Sequence, residues 1–287
     1  MTTLINGRKT ADRVKAGVAE QVAALRAVGE PPGLATILVG SDPASAVYVA
    51  AKRRAVRQAG MRDLHTHLPQ DTTHDQVAAV IDTLAADPAA SGILLQLPLP
   101  APLDAAPLIE RIPLDKDVDG LTTGSTGLLS QGEDGLVPCT PGGIVELLDA
   151  EGVELRGARV AVVGWGQLVG RPLTSLLLHR GATVTVAHAH TTDLAAVTRP
   201  ADIVVVATGV PALIGPEHIS PGTTVIDVGI HRTPHGLTGD VRATELHGIA
   251  ARITPVPGGV GPMTIAMLLT NTLKAAIRQA RREPVPT

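Results

Sequence analysis

A tyrosine and a lysine four residues apart are suited to act together on a small planar molecule. Tyr48 is the single tyrosine of a 287-residue chain that has no phenylalanine, so aromatic rings contribute little to its core. Alanine and long side chains between Ser45 and Lys52 favour a helix, in which residues i and i+4 share a face. A planar heterocycle could stack on the phenol ring while the amine transfers a proton. The alternative is a half-buried tyrosine beside a solvated lysine, since most lysines lie at the surface.

Three glycines follow a predicted strand and open a predicted helix, an arrangement typical of nucleotide sites. Strand 158–163 precedes Gly164, Gly166 and Gly170. Glycines let the backbone approach a pyrophosphate, and free N–H groups at a helix start attract its negative charge. The third glycine comes one residue late for strict G-x-G-x-x-G spacing. A tight turn that needs glycine only for its geometry is therefore the alternative interpretation.

The next predicted strand, 183–187, ends in histidines instead of an acidic residue. His188 and His190 follow it directly, with no carboxylate beside them. An acidic residue at this point binds the ribose hydroxyls of NAD, whereas its absence leaves room for the 2′-phosphate of NADP. A protonated His188 or His190 could contact that phosphate. The alternative for both histidines is a solvent-exposed strand end.

The composition argues against several function classes. With a formal net charge of -3 and 1% aromatic residues, the chain lacks a basic, aromatic surface, so we expect no nucleic-acid partner. The apolar runs are short and interrupted, and the N-terminus lacks a signal-peptide core, so we expect no membrane partner. Cys139 is the single cysteine, which excludes an intramolecular disulfide and fits a cytoplasmic location. No H-E-x-x-H pattern occurs, and we expect no catalytic metal.

Short apolar runs alternate with helical segments, which indicates parallel β-α-β units that position these side chains. Strands are predicted at residues 34–39, 61–67, 92–97, 158–163, 183–187, 203–207, 225–228 and 252–256. Helices are predicted at residues 8–28, around Tyr48 and Lys52, and at 73–86 and 264–281. Residues 98–141 are rich in proline, glycine and aspartate, so we predict a long functional loop there.

Several segments, in order along nearly the whole chain, match one family. The matching segments are residues 42–52, 92–100, 113–120, 138–143, 225–230 and 254–264. The last of them, Thr-Pro-Val-Pro-Gly-Gly-Val-Gly-Pro-Met-Thr, is long and unusual. The sequence resembles the bifunctional methylenetetrahydrofolate dehydrogenase/methenyltetrahydrofolate cyclohydrolase family.

The resemblance implies an α/β fold of two domains with a cleft between them. The folate-binding catalytic domain would comprise residues 1–139 plus 265–287, with the last helix packed on it. Residues 140–264 would form the dinucleotide-binding domain, a Rossmann-like doubly wound parallel sheet. The family association also implies a homodimer.

The implied function belongs to one-carbon folate metabolism, which feeds purine biosynthesis. Hydride would pass from 5,10-methylenetetrahydrofolate to NADP, and water would then open the methenyl cation to 10-formyltetrahydrofolate. By resemblance, Lys52 handles the proton, Tyr48 packs on the folate, Gln96 orients the lysine and Asp119 anchors the pterin. A neutral Gln96 suits this role, because a carboxylate there would hold the lysine charged.

The resemblance also implies the groups that bind the two small molecules. The substrate-binding residues would be Ser45, Tyr48, Asp119, Pro257, Gly258 and Gly259. The cofactor-binding residues would be Gly164, Trp165, Gly166, Gly170, Arg171, His188, His190 and Ile230.

The glycine turn departs from the family pattern. It has Trp165 and Gly166 where the family commonly has arginine and serine, and Ala189 replaces a serine expected after the second strand. The family's arginine and serine help to hold the 2′-phosphate. NAD use therefore stays open beside NADP, as do altered phosphate contacts from Arg171 or the histidines.

Three other functions are compatible with parts of the sequence. A cyclohydrolase with weak dehydrogenase activity would fit the altered glycine turn. A shikimate-type dehydrogenase would share the two-domain layout, but it needs a cation cluster for a carboxylate substrate. A folate- or nucleotide-binding protein without catalysis belongs to a different class, and it would turn over neither folate substrate.

Overall fold

The structure, a computed structural model, describes residues 1–27, 29–234 and 236–282. The chain divides into two compact units, each with a parallel sheet. The six-stranded unit comprises Met1–Asp12 and Thr140–Thr264, and the three-stranded unit comprises Arg13–Cys139 and Ile265–Thr287.

The first residues of the chain pack differently from the predicted domain division. Residues 1–12 were assigned to the folate-binding domain, but they belong to the six-stranded unit. The reason is β1 (Thr3–Leu4), which pairs in parallel with β11 (Arg252–Ile253) at the edge of the larger sheet. A strand this short has no sequence pattern of its own.

The three-stranded unit is built around β2 (Gly33–Val39), which is buried along its whole length. It pairs in parallel with β3 (Arg62–Leu68) on one side and β4 (Gly92–Leu95) on the other. A strand buried on both faces is a continuous apolar run, as β2 is.

Helices cover this small sheet from two sides. The helices with residues in this unit are α1 (Gly7–Arg26), α2 (Pro43–Gln58), α3 (His74–Ala86), α4 (Ala105–Ile109), α5 (Thr123–Gln131) and α9 (Val260–Arg282). One core layer joins Leu34 of β2 to Leu268 and Leu269 of α9. The other joins Ile37 of β2 to Ile81 of α3. The last helix therefore contributes to the core of this unit.

The sequence predicted one long loop over residues 98–141, but the structure contains helices there. These residues contain α4, α5 and the start of α6 (Cys139–Ala150). Thr122 caps α5 by accepting a hydrogen bond from the Ser125 N–H, and Gly132 ends it with a φ of 75°. The glycines, serines and threonines of α5 have weak helix propensity, so these end contacts define the helix.

The six-stranded sheet has the order β1-β11-β8-β7-β5-β6, and its pairings are parallel. The remaining strands are β5 (Arg159–Val163), β6 (Thr183–Ala187), β7 (Ile203–Val206) and β8 (Thr224–Asp227). Other elements of this unit are α7 (Gly170–His179), α8 (Leu194–Thr198) and the antiparallel hairpin of β9 (His231–Thr233) and β10 (Gly236–Thr238). Two short 3-10 helices lie at Pro216–His218 and Ala243–Leu246.

The chain runs from β5 to β6 at one edge and then returns past β5 to β7 and β8. Ligands of open α/β sheets bind outside the carboxyl ends of the strands at such a reversal. The prediction of two α/β domains, the second a Rossmann-like doubly wound parallel sheet, is confirmed.

Among the described residues, helix α9 is long and apolar enough to cross a membrane by length and composition. Half of the tested window is buried inside the protein, with Leu268, Leu269 and Leu273 in the core. A core helix of a soluble protein passes the same test, so this finding alone does not indicate a membrane protein.

Asp227, the last residue of β8, makes the stability of the six-stranded unit depend on pH. Its buried carboxylate accepts hydrogen bonds from the N–H groups of Gly229 at 3.0 Å, Asp240 at 2.9 Å and Val241 at 3.1 Å. Loss of hydration outweighs these bonds and raises the pKa of Asp227 to about 6.

Because the folded protein binds the Asp227 carboxyl proton more tightly than the unfolded chain does, protonation of Asp227 stabilises the fold. This contribution to the free energy of unfolding is complete below the ordinary carboxyl pKa. It is lost as pH rises through about 6. The loss amounts to roughly 3 kcal/mol, at about 1.4 kcal/mol per pKa unit. We expect urea denaturation to show Asp227→Asn gaining stability relative to the unmodified protein as pH rises from about 4 to about 6. A pH-independent difference between the two proteins would contradict this assignment.

Candidate active site

A buried lysine and a glutamine form the centre of a polar cluster in the three-stranded unit. Lys52 lies on α2, which starts where the Asp42 carboxylate accepts the Ser45 N–H at 2.7 Å. Gln96 directly follows β4. The side chains are each 9% exposed, and Lys52 Nζ donates a hydrogen bond to Gln96 Oε1 at 3.0 Å. The predicted contact is therefore present, and the alternative of a solvated lysine is wrong.

The Gln96 amide is held on both sides, which fixes the oxygen toward the lysine. Its Nε2 donates to the Leu97 carbonyl oxygen at 2.5 Å, while its backbone N–H donates to the Ile37 carbonyl oxygen at 2.9 Å. A glutamine with its nitrogen so engaged presents only an acceptor to Lys52. Lys52 thus donates its hydrogen bond to a neutral acceptor.

Tyr48 lies one helical turn before Lys52 on α2, and its side chain is 41% exposed. A large part of the phenol ring is therefore not covered by the protein's own core. An exposed ring one turn from a buried amine is the arrangement that stacking on a planar ligand requires. Ser45, at the start of the same helix, is buried.

Asp119 lies close to both Lys52 and the buried thiol of Cys139. Loss of hydration raises the pKa of the Asp119 carboxyl, while the Lys52 charge and a hydrogen bond with Cys139 oppose the rise. Burial, and then the Asp119 charge, raises the pKa of the Cys139 thiol well above its ordinary value. The thiol therefore stays protonated and serves as a donor. The structure brings three of the four predicted catalytic side chains together, with Tyr48 one turn away.

Groups that hold the backbone next to Asp119 were not predicted from the sequence. Cys139 Sγ lies 3.3 Å from the Val118 carbonyl oxygen, which also accepts a 2.8 Å hydrogen bond from Asn271 Nδ2 of α9. Asp117 is buried and accepts the Thr122 N–H at 2.8 Å. The Asp-Val-Asp spacing could have indicated Asp117. No local signal marks Asn271, which lies more than 150 residues away.

In the six-stranded unit, the glycine turn after β5 leaves room for a ligand. Gly164 has a φ of 109°, and a Cβ on it would collide with the Ala207 carbonyl oxygen. A Cβ on Gly170 would collide with the Gly164 carbonyl oxygen, whereas Gly166 faces open space. The first and third glycines are thus needed for the turn itself. The open surface at Gly166 fits the approach of a pyrophosphate.

Exposed aromatic and basic side chains surround this turn. The Arg171 guanidinium lies 5.8 Å from the centre of the half-exposed Trp165 ring, and its Nε donates to the Trp165 carbonyl oxygen at 3.2 Å. On the neighbouring strand end, the rings of His188 and His190 meet edge to face at 5.8 Å. Residues 188–190 carry no carboxylate, so no negative charge at these positions would repel an additional phosphate.

The remaining predicted ligand contacts also belong to the six-stranded unit. Ile230 is 45% exposed and follows the carboxyl end of β8. Pro257, Gly258 and Gly259 precede α9, and the Gly258 carbonyl oxygen accepts the Arg8 N–H at 3.2 Å. Among the described residues, no group of three or more histidine, cysteine or acidic side chains is arranged to hold a metal ion.

Comparison with known proteins identifies the family. Residues 5–119 match the catalytic domain of tetrahydrofolate dehydrogenase/cyclohydrolase, and residues 138–280 match its NAD(P)-binding domain. The chain is 62% identical to the bifunctional protein FolD 2 of Frankia alni over 274 residues, 95% of each chain. It is 54% identical to the bifunctional protein FolD of Parasynechococcus marenigrum over 88% of this chain and 87% of the relative.

Solved structures agree with this assignment. The bifunctional FolD methylenetetrahydrofolate dehydrogenase/cyclohydrolase of Campylobacter jejuni superposes with a TM-score of 0.95 at 41% identity, covering 97% of this chain and 100% of that one. The Trypanosoma brucei enzyme, complexed with NADP cofactor and inhibitor, superposes with a TM-score of 0.93 at 39% identity, covering 98% and 99%. A shikimate dehydrogenase at 11% identity and a TM-score of 0.50 shares the fold alone. The chain belongs to the tetrahydrofolate dehydrogenase/cyclohydrolase family.

Proposed function

We propose that this protein oxidises 5,10-methylenetetrahydrofolate to 5,10-methenyltetrahydrofolate with NADP and hydrolyses the product to 10-formyltetrahydrofolate. Family membership over nearly the whole chain supports both activities. The observation that carries the proposal within the molecule is the buried hydrogen bond of Lys52 with Gln96, close to Asp119. It provides a proton-transfer group and a pterin anchor in one unit.

Lys52 handles the proton that hydrolysis releases. In this step the oxygen of a water molecule bonds to the methenyl carbon, and the bond from that carbon to N5 breaks. One water proton ends on N5 and the other is released, for which Lys52 is the acceptor. Gln96 Oε1 fixes the direction of the lysine Nζ, because its own nitrogen is engaged by the Leu97 carbonyl oxygen. The amine is thereby positioned before the substrate arrives.

Asp119 and Tyr48 bind the substrate in this proposal. An ionised carboxylate accepts two hydrogen bonds from the donor-rich edge of the pterin. The exposed Tyr48 ring stacks on the planar part of the folate.

The six-stranded unit holds the dinucleotide, which when bound supplies the acceptor for the hydride. The open backbone at Gly166 would receive its pyrophosphate. Arg171, His188 and His190 replace the family's usual partners of the 2′-phosphate, since Trp165, Gly166 and Ala189 stand where arginine and serines are common. Trp165 contributes a stacking surface beside Arg171.

Replacing Gln96 with glutamate should slow the hydrolysis while the protein stays folded. A carboxylate 3.0 Å from Lys52 would hold the amine in its charged form and remove it as a proton acceptor. We expect kcat to fall by roughly 10²-fold, within the usual contribution of general acid–base catalysis. Steady-state assays of both reactions from pH 6 to 9 would measure this, with Gln76→Glu on α3 as a matched control. Unchanged rates would show that the charge state of Lys52 is irrelevant.

The proposed function is tested by spectrophotometric assays of both reactions with each nicotinamide cofactor. We expect NADP-dependent formation of the methenyl product, followed by loss of its near-ultraviolet absorbance on hydrolysis. Turnover of the methenyl substrate without dehydrogenase activity would leave a cyclohydrolase alone. No turnover of either substrate would favour a binding protein.

We also propose a cytoplasmic homodimer. The family association motivates the dimer, and the single, buried, reduced Cys139 is consistent with a reducing compartment. Light scattering during size-exclusion chromatography would test the oligomeric state. Fractionation of cells that produce the protein would test its location. A monomer across the micromolar range would overturn the proposed homodimer. Recovery of the protein with membranes would overturn the proposed cytoplasmic location.

A further inference from the structure

A fully buried aspartate ties together the loops that follow β7 and β8. Asp240, after the β9–β10 hairpin, is 0% exposed. Its Oδ2 accepts three hydrogen bonds from the loop after β7: Thr208 N–H at 2.7 Å, Thr208 Oγ1 at 2.8 Å and Gly209 N–H at 2.9 Å. Its Oδ1 lies 2.7 Å from His231 Nε2, at the start of β9. One carboxylate therefore has four donors from two loops.

The backbone around Asp240 is packed too closely to adjust freely. Its own N–H donates to Asp227 Oδ1 at 2.9 Å, which also accepts the Gly229 N–H at 3.0 Å. A Cβ on Gly229 would collide with the Asp240 carboxylate, and one on Gly239 would collide with that of Asp227. The two acids thus hold one geometry of the segment between Asp227 and His231. Ile230 lies inside that segment with its side chain exposed.

Both tied loops lie where an open parallel sheet binds its ligand. Strands β7 and β8 are neighbours, and β7 also pairs with β5, which ends at the glycine turn. The Ala207 carbonyl oxygen, one residue before Thr208, is the atom that leaves no space for a side chain on Gly164. The carboxyl ends of such strands form the ligand crevice. Asp240 is buried beneath this edge and has no exposed atom to offer a ligand.

We propose that Asp240 is a positioning residue for dinucleotide binding, which sets the backbone at Thr208–Gly209 and at Ile230 without touching the cofactor. The proposal rests on the proposed function. A buried charge is costly, and four donors on one carboxylate offset that cost only in this loop geometry. Removing the charge releases the loops, so the fold of the sheet survives while the ligand surface loses its shape.

The test compares Asp240→Asn with Asp202→Asn. Asp202 precedes β7 at the opposite end of the same sheet, where it pairs with Arg159 at an exposed position. Titration of NADPH fluorescence should show an approximately tenfold weaker Kd for Asp240→Asn and an unchanged Kd for Asp202→Asn. The ratio of dehydrogenase to cyclohydrolase kcat/KM should fall by a similar factor, because water addition needs no dinucleotide. Hydrogen exchange at Thr208 and Gly209 should accelerate in Asp240→Asn alone.

Unchanged NADPH affinity in folded Asp240→Asn would overturn the proposal, as would a parallel fall of both activities. If that variant fails to fold, Thr208→Val decides the question, because it removes one donor and keeps the carboxylate. A two- to fivefold weaker NADPH Kd in Thr208→Val would support the proposal, and an unchanged Kd would overturn it. Failure of the unmodified protein to bind NADPH would instead refute the proposed function, so the two failures are distinguishable.

Discussion

Lys52→Met should abolish the cyclohydrolase activity, with its kcat falling by about 10²–10⁴-fold, while the hydride transfer, which releases no proton, should slow much less. Methionine keeps much of the length and apolar volume of the buried stem but has no amine to exchange a proton. The Gln96 Oε1 atom would lose its 3.0 Å partner, yet its amide nitrogen would still be held by the Leu97 carbonyl oxygen. The measurement is the rate of each half-reaction at saturating substrate.

Lys9→Met is a matched control, because it makes the same change at an exposed lysine on α1. It should leave both rates within about twofold, as surface substitutions usually do. Retention of cyclohydrolase activity by Lys52→Met would show that water addition uses another base. Retention of both activities would remove Lys52 from the mechanism.

Asp119→Asn should weaken folate binding by roughly 10²-fold, seen as a higher KM for both folate substrates. Hydrogen bonds to a charged group contribute about 1.5–3 kcal/mol each, and an amide would also present a donor to a donor-rich pterin edge. Because the two reactions share the substrate site, both KM values should rise together. The matched control is Asp134→Asn, which removes an exposed carboxylate paired with Lys274.

The same variant should change the pH dependence of binding. Loss of hydration raises the pKa of Asp119, so its carboxylate takes up a proton at a higher pH than an exposed aspartate does. Folate affinity should therefore weaken as pH falls through that raised pKa, and this decline should disappear in Asp119→Asn. An identical pH profile in both proteins would show that Asp119 does not contact the substrate in its charged form.

The sequence predicted the elements whose pattern is local. The apolar run of β2 and the alanine-rich α2 were both expected. The buried Lys52 lies on α2. The Lys52–Gln96 contact followed from residue types matched to a family, since 44 residues separate the two. Helix α5 was missed because its composition is that of a loop, and its caps are visible only in three dimensions.

Several contacts around the two sites join residues far apart in the chain, and local sequence patterns could not predict them. Cys139 was interpreted only as evidence for a reducing compartment, but its buried thiol lies 3.3 Å from the Val118 carbonyl oxygen, next to Asp119 in the chain. Asn271 reaches the Val118 carbonyl oxygen from a helix near the other end of the chain. Asp240 has an unremarkable surrounding sequence, and its four donors come from residues 208–209 and 231. Such partners are defined by topology, which a single sequence specifies only through the complete fold.

Each of the two units is built from two separate stretches of the chain, and this limits when each unit can fold during synthesis at the ribosome. The six-stranded sheet has β1 at its edge, and β1 must wait for β11, about 250 residues later. The core of the three-stranded unit needs Leu268, Leu269 and Leu273 from the final helix. Neither unit can therefore complete its packing until nearly all of the polypeptide has left the exit tunnel. Cutting the gene at residue 139 or 140 would yield fragments that each lack part of their own hydrophobic interior or sheet.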